Sequence, residues 1–225
     1  MKTFKIDMFD DHLIFEYNGQ KVLVDTGCPV TISKQNTFDF MDEEYSCHSS
    51  FAGTNIDSIS QLMNYDIDVF LGIDIIENYY VLTDYKNQQV TFSKDPIPFE
   101  PTASIPIIRG RMGEAFVNLT IKGKIAKLAL DTGAKISYID DSFTQEETAK
   151  GMKNDYSPFT GPFQTSIFEL ESSIGEQTFL VNFGNLPQSL SMPLKLMGIS
   201  GAIGFDLFNT YTVLMDFYSN TLSIR

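Results

Sequence analysis

The chain has 225 residues, of which 43% are apolar and 13% are aromatic, enough to bury one sizeable core or two smaller ones. Its 29 acidic and 16 basic residues give a net charge of −13, which opposes binding to nucleic acids and to anionic membrane surfaces. We therefore expect a folded protein that has neither as a partner.

The first residues reach a charged side chain before an apolar run of signal-peptide length develops, and no window approaches the roughly 18 apolar residues of a membrane span. These features predict a cytoplasmic protein. Cys28 and Cys47 are too few for a disulfide framework and lack the CxxC spacing of a zinc site, so we expect two free thiols. His12 and His48 belong to no repeated motif, and we expect no metal and no cofactor.

A β-hairpin is predicted near the start of the chain. Residues 13–17 and 21–24 are apolar-rich runs on either side of Asn18-Gly19, a dipeptide that supplies the positive φ angles of a type I′ turn. The second run ends directly at Asp25.

Two blocks of sequence occur twice. Residues 21–27, KVLVDTG, recur as residues 127–133, KLALDTG, at an offset of 106. Residues 72–84 match residues 204–216 without a gap, at an offset of 132. Because the two blocks keep their order, the pattern indicates an internal duplication.

A proline-rich segment separates the copies, with four of the nine prolines in residues 94–106. We therefore predict an N-terminal lobe at residues 1–95 (the first half), a linker at residues 96–103 and a C-terminal lobe at residues 104–225 (the second half).

The remaining patterns predict short strands and brief helices, and hence a mainly β protein. Further strands are expected at residues 79–83, 89–92, 115–121, 125–130, 177–182 and 211–215. A capping box at residues 142–145 and a stop at Gly151 predict one short helix. Two more short helices are expected after Asp74 and Asp206, with these residues as their N-caps. Asp84 and Asp216 end matched strands and are expected to accept hydrogen bonds from turns.

The repeated Asp-Thr-Gly motif is the candidate site. The tripeptide alone is expected by chance in roughly one chain in twenty of this length, but here both copies follow a hydrophobic strand. Burying a carboxylate at the end of a strand costs desolvation free energy, which suggests that the residue has a function. The duplication supplies a second such carboxylate. The threonine hydroxyls can hydrogen-bond into the opposite loop, and the glycines leave room for a tight turn and a close backbone approach.

Asp25-Thr26-Gly27 and Asp131-Thr132-Gly133, each with an apolar-apolar-Gly sequence downstream at residues 70–72 and 202–204, resemble the active-site motif of retropepsins and pepsin-like aspartic peptidases. The resemblance implies an all-β acid-protease fold with two pseudo-twofold-related β-barrel-like lobes and short helices. It implies Asp25 and Asp131 as the catalytic pair. It also implies that the active-site loops are supported by Thr26, Gly27, Thr132 and Gly133. The two glycines would in addition contact substrate.

The two copies differ in length, since Asp25 to Gly72 spans 47 residues and Asp131 to Gly204 spans 73. In the family this interval carries the flap, a β-hairpin that closes over substrate. Residues 156–163, including Tyr156, predict a flap on the second half, which reverses the arrangement of pepsin. The residue after Gly is Cys28 in one loop and Ala134 in the other, in place of a hydroxyl residue, which predicts activity nearer neutral pH.

These features predict a monomeric aspartic endopeptidase that binds a peptide or protein substrate as an extended strand between the lobes. The alternative is a peptide-binding or scaffolding module that keeps the fold with weak or no turnover, as the unequal halves suggest.

Overall fold

The computed structural model describes residues 1–157 and 161–225, and within these ranges the chain forms twenty strands and four α-helices. The chain is therefore mainly β, as its sequence predicts. None of the helices in the described ranges is long and apolar enough to cross a membrane.

The strands of the first half are β1 Lys2–Phe9, β2 His12–Tyr17, β3 Gln20–Val24, β4 Ile32–Ser33, β5 Thr37–Phe40, β6 Glu43–Ser46, β7 Val69–Leu71, β8 Tyr80–Asp84 and β9 Gln89–Ser93. The later strands are β10 Ala103–Pro106, β11 Ile108–Arg109, β12 Ala115–Ile121, β13 Lys124–Leu130, β14 Ser137–Ile139, β15 Gly151–Ser157, β16 Gly161–Ile174, β17 Gln177–Gly184, β18 Gly201–Ile203, β19 Val213–Asp216 and β20 Thr221–Ile224. The α-helices are α1 Ile56–Met63, α2 Ile73–Ile76, α3 Gln188–Leu196 and α4 Phe205–Thr210.

The predicted hairpin is confirmed as β2 and β3, which pair antiparallel around Asn18 (φ 51°) and Gly19 (φ 77°). Both φ angles are positive, as a type I′ turn requires. The corresponding hairpin of the second half, β12 and β13, turns at Lys122 (φ 49°) and Gly123 (φ 77°). The two hairpins thus share one turn geometry.

A ten-stranded sheet joins the two halves in the order β10-β20-β19-β8-β9-β1-β2-β3-β7-β4. Where the two halves meet in this sheet, β8 pairs antiparallel with β19, so that Leu82 stands opposite Leu214. β10 pairs with β20 at an edge of this sheet. Its last residue, Pro106, lacks an amide hydrogen and is tolerated at an edge. Ala103, the final residue of the expected linker, already belongs to β10.

The second sheet has eight strands in the order β11-β12-β13-β18-β14-β17-β16-β15. An additional pairing of β12 with β16, at Ile121 and Ser172, closes six of these strands into a barrel. The β15–β16 hairpin extends from the edge of this barrel.

Each acid motif follows a strand that has a parallel neighbour. β3 runs parallel to β7, and β13 runs parallel to β18. In both cases the neighbour is the short strand of the downstream apolar-apolar-Gly sequence. The two repeated blocks of sequence are therefore adjacent in space.

The helices differ from expectation in three places. The capping box at residues 142–145 forms only a single 3₁₀ turn, Asp141–Phe143, because Asp140 rather than Ser142 is its cap. Gly151 is not a helix stop but the first residue of β15, opposite Ile167. The helices α2 and α4 start one residue before the acids expected to cap them.

The sequence reasoning also missed α1 and α3. For α1 a signal was present, because Asn55 accepts a hydrogen bond from the Ser58 amide and Ser58 Oγ accepts one from the Asn55 amide, a reciprocal cap. Its apolar face buries Ile56 and Ile59. By contrast, α3 contains Pro193 and buries none of its side chains.

One continuous apolar core extends through both halves. It includes Tyr79 and Phe92 of the first half and Phe208 and Val213 of the second, all nearly inaccessible to solvent. This shared core and the β8–β19 pairing hold the two acid-bearing strands in one structure.

Candidate active site

The acid residues are positioned by backbone hydrogen bonds at the ends of parallel strand pairs. The Asp25 amide donates to the Leu71 carbonyl at 2.9 Å, and the Asp131 amide donates to the Ile203 carbonyl at 3.0 Å. Each aspartate therefore stands directly after β3 or β13, and the same backbone hydrogen bond holds both acid loops.

Thr26 and Thr132 lock the two loops together through four hydrogen bonds. Each backbone amide donates to the hydroxyl of the other threonine at 3.0 Å. The Thr26 hydroxyl donates to the Leu130 carbonyl at 2.7 Å, and the Thr132 hydroxyl donates to the Val24 carbonyl at 2.9 Å. Both threonines are buried, so these bonds are shielded from competition by water.

The two acids face each other across the glycines of the motifs. A Cβ on Gly27 would lie 2.5 Å from Cγ of Asp131, and a Cβ on Gly133 would lie 2.3 Å from Oδ2 of Asp25. No side chain fits in either place, which explains the glycine at each position. The structure thus brings all six predicted loop residues together.

The carboxyl groups of Asp25 and Asp131 lie close enough for each to shift the pKa of the other. Oδ1 of Asp25 also accepts from the amides of Gly27 at 2.7 Å and Cys28 at 3.0 Å, and Oδ1 of Asp131 accepts from the Gly133 amide at 3.0 Å. The residues themselves are half-buried, so part of the pair is open to solvent.

Burial raises the pKa of Asp25 well above its ordinary value, and the negative charge of Asp131 raises it further. Burial also raises the pKa of Asp131, whereas the hydrogen bond from Asp25 lowers it. Two carboxylates this close cannot both ionise easily, so the pair retains one proton. The two acids therefore titrate as a pair.

Neither loop offers a side-chain hydroxyl immediately after its glycine. The Cys28 thiol donates to the Val30 carbonyl at 3.2 Å rather than to a carboxyl, and burial raises its pKa to about 12. Ala134 has no donor on its side chain. Both cysteines, Cys28 and Cys47, are free.

Asp74 and Asp206 support the acid loops instead of capping helices. Gly72 and Gly204 occupy the N-cap positions of α2 and α4, so the expected capping role is wrong. Asp74 accepts from the amide of Thr31 at 2.9 Å and from its hydroxyl at 2.7 Å.

The second half repeats this contact, since the Ser137 hydroxyl donates to Asp206 at 3.0 Å. The amides of Gly72 and Gly204 donate to the hydroxyls of Thr31 and Ser137. Sequence reasoning missed these hydroxyls. A signal existed, because Thr31 and Ser137 both stand six residues after an acid of the pair.

The turn between β1 and β2 reaches from the first half to the Asp131 loop. Lys135 Nζ forms an ion pair with Asp10 at 2.8 Å, and a positive charge on His12 would lower the pKa of Asp131. No sequence pattern predicted that His12 lies near the site, because the second half has no copy of it. Asp84 and Asp216, in contrast, accept turn hydrogen bonds as expected.

The expected flap region forms the β15–β16 hairpin of the second half. Tyr156 lies on β15 and is 40% exposed, whereas Pro158, Phe159 and Thr160 lie outside the described residues. The first half has a much shorter hairpin, β5 and β6, whose Phe38 and Phe40 are buried in the core.

A cavity in the second half lies away from this site. A cavity of about 350 Å³ lies beside α3 and is lined by Ile139, Asp141, Leu186, Gln188, Ser191 and Lys195. None of these residues belongs to the acid loops. In the described part of the chain, no group of three or more His, Cys, Asp and Glu side chains is arranged to hold a metal ion.

No protein-family model and no curated protein sequence matches the chain. Among solved structures, it is similar to the crystal structure of a retropepsin-like aspartic protease from Rickettsia conorii. That similarity has a TM-score of 0.40 and 16% sequence identity, over 56% of this chain and 96% of the other.

Proposed function

We propose that the chain is an aspartic endopeptidase with Asp25 and Asp131 as its catalytic pair. The observation that carries the proposal is that each carboxyl lies against the glycine of the other motif, in two loops that the Thr26–Thr132 exchange holds together. A pair that shares one proton is the known chemistry of aspartic protease dyads.

In the proposed mechanism, a water molecule binds between the carboxyls. The ionised member, Asp131, takes a proton from the water as its oxygen attacks the peptide carbonyl carbon. The protonated member, Asp25, donates its proton to the carbonyl oxygen. Collapse of the tetrahedral intermediate breaks the C–N bond as the leaving nitrogen takes the proton held on Asp131. Asp25 takes back the proton of one hydroxyl, so that the carbonyl forms again and the pair returns to its starting state.

The proposed substrate is a peptide or protein segment bound as an extended strand. Residues 1–95 and 104–225 are the proposed lobes, derived from a duplication and joined by residues 96–103 in a monomer. An extended strand needs an open groove, and Asp25 and Asp131 are both partly open to solvent. The β15–β16 hairpin would cover this groove from the second half alone.

The second candidate function is a peptide-binding or scaffolding module with weak or no turnover. The short β5–β6 hairpin supports it, because a groove covered from one side would hold substrate less firmly.

Digestion of a peptide library by the wild type, Asp25→Asn and Asp131→Asn tests the proposal. We expect cleavage by the wild type and a loss of at least about a hundredfold in each variant. Asp39→Asn, the same chemical change at an exposed position on β5, is the matched control and should cleave normally. Cleavage that persists in both active-site variants would refute the mechanism. Peptide binding by an inert wild type would favour the scaffold.

A further inference from the structure

The outer part of the β15–β16 hairpin is a two-stranded arm. β15 pairs with β16, and residues 161–166 of β16 pair with β15 alone among the described strands. Only from Ile167 onward does β16 also pair with β17. A two-stranded ribbon is marginally stable in water, so the position of this arm depends on its side-chain contacts.

The first contact lies at the base of the arm. The hydroxyl of Thr165, which is 3% exposed, donates to the Asn185 carbonyl at 2.8 Å and accepts from the Asn185 amide at 2.8 Å. These bonds attach the base of the arm to the end of β17.

The second contact lies farther out. The Tyr138 hydroxyl donates a hydrogen bond to the Asp155 carboxylate on β15, and the Tyr138 ring lies 6.1 Å from that of Phe163 on β16. Tyr138 is 6% exposed. Burial and the bond to Asp155 raise its pKa far above the ordinary value, so the hydroxyl stays a donor at all working pH values.

Tyr138 lies on a strand next to the one that positions Asp131. It stands opposite Ala202 on β18, and the next residue of β18, Ile203, accepts the hydrogen bond of the Asp131 amide. Its neighbour Ser137 bonds to the start of α4. The Tyr138–Asp155 bond thus connects the arm to the strand network beside the catalytic acid.

The first half provides an internal comparison. Tyr138 follows Asp131 by seven residues, and the residue seven after Asp25 is Ile32, which has no hydroxyl and packs in an apolar cluster. The two-stranded β5–β6 hairpin of the first half packs on the core through Phe38 and Phe40. The tyrosine therefore occurs in the half that has an arm to hold.

We propose that Tyr138 is a positioning residue, which sets the β15–β16 arm over the bound peptide through its hydrogen bond to Asp155. The inference depends on the proposed peptidase function for its effect on catalysis, while its effect on the arm can be measured separately.

The test is Tyr138→Phe, which removes the hydroxyl and keeps the ring. We expect KM to rise roughly tenfold, because the bond to a charged acceptor is lost, while kcat changes less than about threefold. Trypsin should cut after Lys153, an exposed residue of the arm, roughly tenfold faster. Tyr65→Phe is the matched control, because Tyr65 donates a similar bond to Asp7 at 2.5 Å on the first half.

Variants of the acceptor separate positioning from general damage. Asp155→Asn keeps an acceptor oxygen, so its KM should stay close to that of the wild type. Asp155→Ala should raise KM as much as Tyr138→Phe does. The double variant Tyr138→Phe/Asp155→Ala should be no worse than either single variant. Additive effects, or a KM and a nicking rate that change no more than in Tyr65→Phe, would overturn the inference.

If the wild type cleaves no peptide, the proposed function fails, but the role of Tyr138 can still be tested. The nicking rate after Lys153 then reports arm position by itself. Binding of a fluorescent library peptide to Asp25→Asn, with and without Tyr138→Phe, reports its effect on the groove. Unchanged nicking and unchanged affinity would again reject the role of Tyr138.

Discussion

Thr26 and Thr132 each donate their backbone amide to the hydroxyl of the other, at 3.0 Å in both directions. These residues are 106 positions apart in sequence, and each hydroxyl also donates to a carbonyl of the opposite strand. The exchange holds the two acid loops at one fixed separation.

Thr26→Val should therefore destabilise the protein by about 2–4 kcal/mol, because it leaves the Thr132 amide and the Leu130 carbonyl buried without partners. Urea unfolding followed by fluorescence or circular dichroism measures the loss. Thr26→Ser keeps the hydroxyl and should stay within about 1 kcal/mol of the wild type. A loss in Thr26→Ser as large as that in Thr26→Val would contradict a stabilising role of the hydroxyl alone.

Asp25→Asn should stabilise the fold at neutral pH. The pKa of Asp25 is raised in the folded state, so the folded chain binds more protons than the unfolded chain once pH exceeds the unfolded Asp pKa of about 3.9. Wild-type stability then falls as pH rises through the window between the two pKa values.

Asparagine removes this penalty, and we expect a melting temperature about 2–4 °C higher at pH 7, the shift produced by about 1 kcal/mol. The difference should disappear near pH 3, where the wild-type carboxyl is protonated in both states. A variant that melts below the wild type at pH 7 would contradict a raised pKa of Asp25 in the folded state.

Ala134→Ser should move the activity profile toward acid pH. A hydroxyl beside the Asp131 carboxylate would donate a hydrogen bond to its charged form and lower the pKa of the pair. The pH dependence of kcat/KM on one peptide measures the shift. Ala134→Cys, which copies the residue of the other loop, is the control. A wild-type optimum below about pH 4 would contradict the premise that the missing hydroxyl favours neutral pH.

Asp74→Ala should cost about 2–3 kcal/mol, because the buried Thr31 loses the acceptor of its amide and of its hydroxyl. Loss of a mere helix cap would cost about 1 kcal/mol. The pair Asp74→Ala and Thr31→Val should be non-additive in urea unfolding, since both break one contact. Fully additive losses would mean that Asp74 acts through another partner.

Sequence reasoning succeeded where the structure depends on neighbouring residues. The β2–β3 hairpin follows from Asn18-Gly19, whose φ angles are a local property. It failed at Asp74, because a cap is defined by the residue at which a helix begins, and that start is set by packing around Gly72. The Tyr138–Asp155 contact joins separate strands, and no local pattern encodes such a pair.

Both acid loops belong to a single chain, and the pairing of β8 with β19 joins the halves that carry them. A site assembled from two separate chains loses its second acid on dilution, since each copy must find a partner. Here the effective concentration of one loop around the other is set by the fold itself. Activity per molecule should therefore stay constant down to concentrations at which a two-chain site has fallen apart.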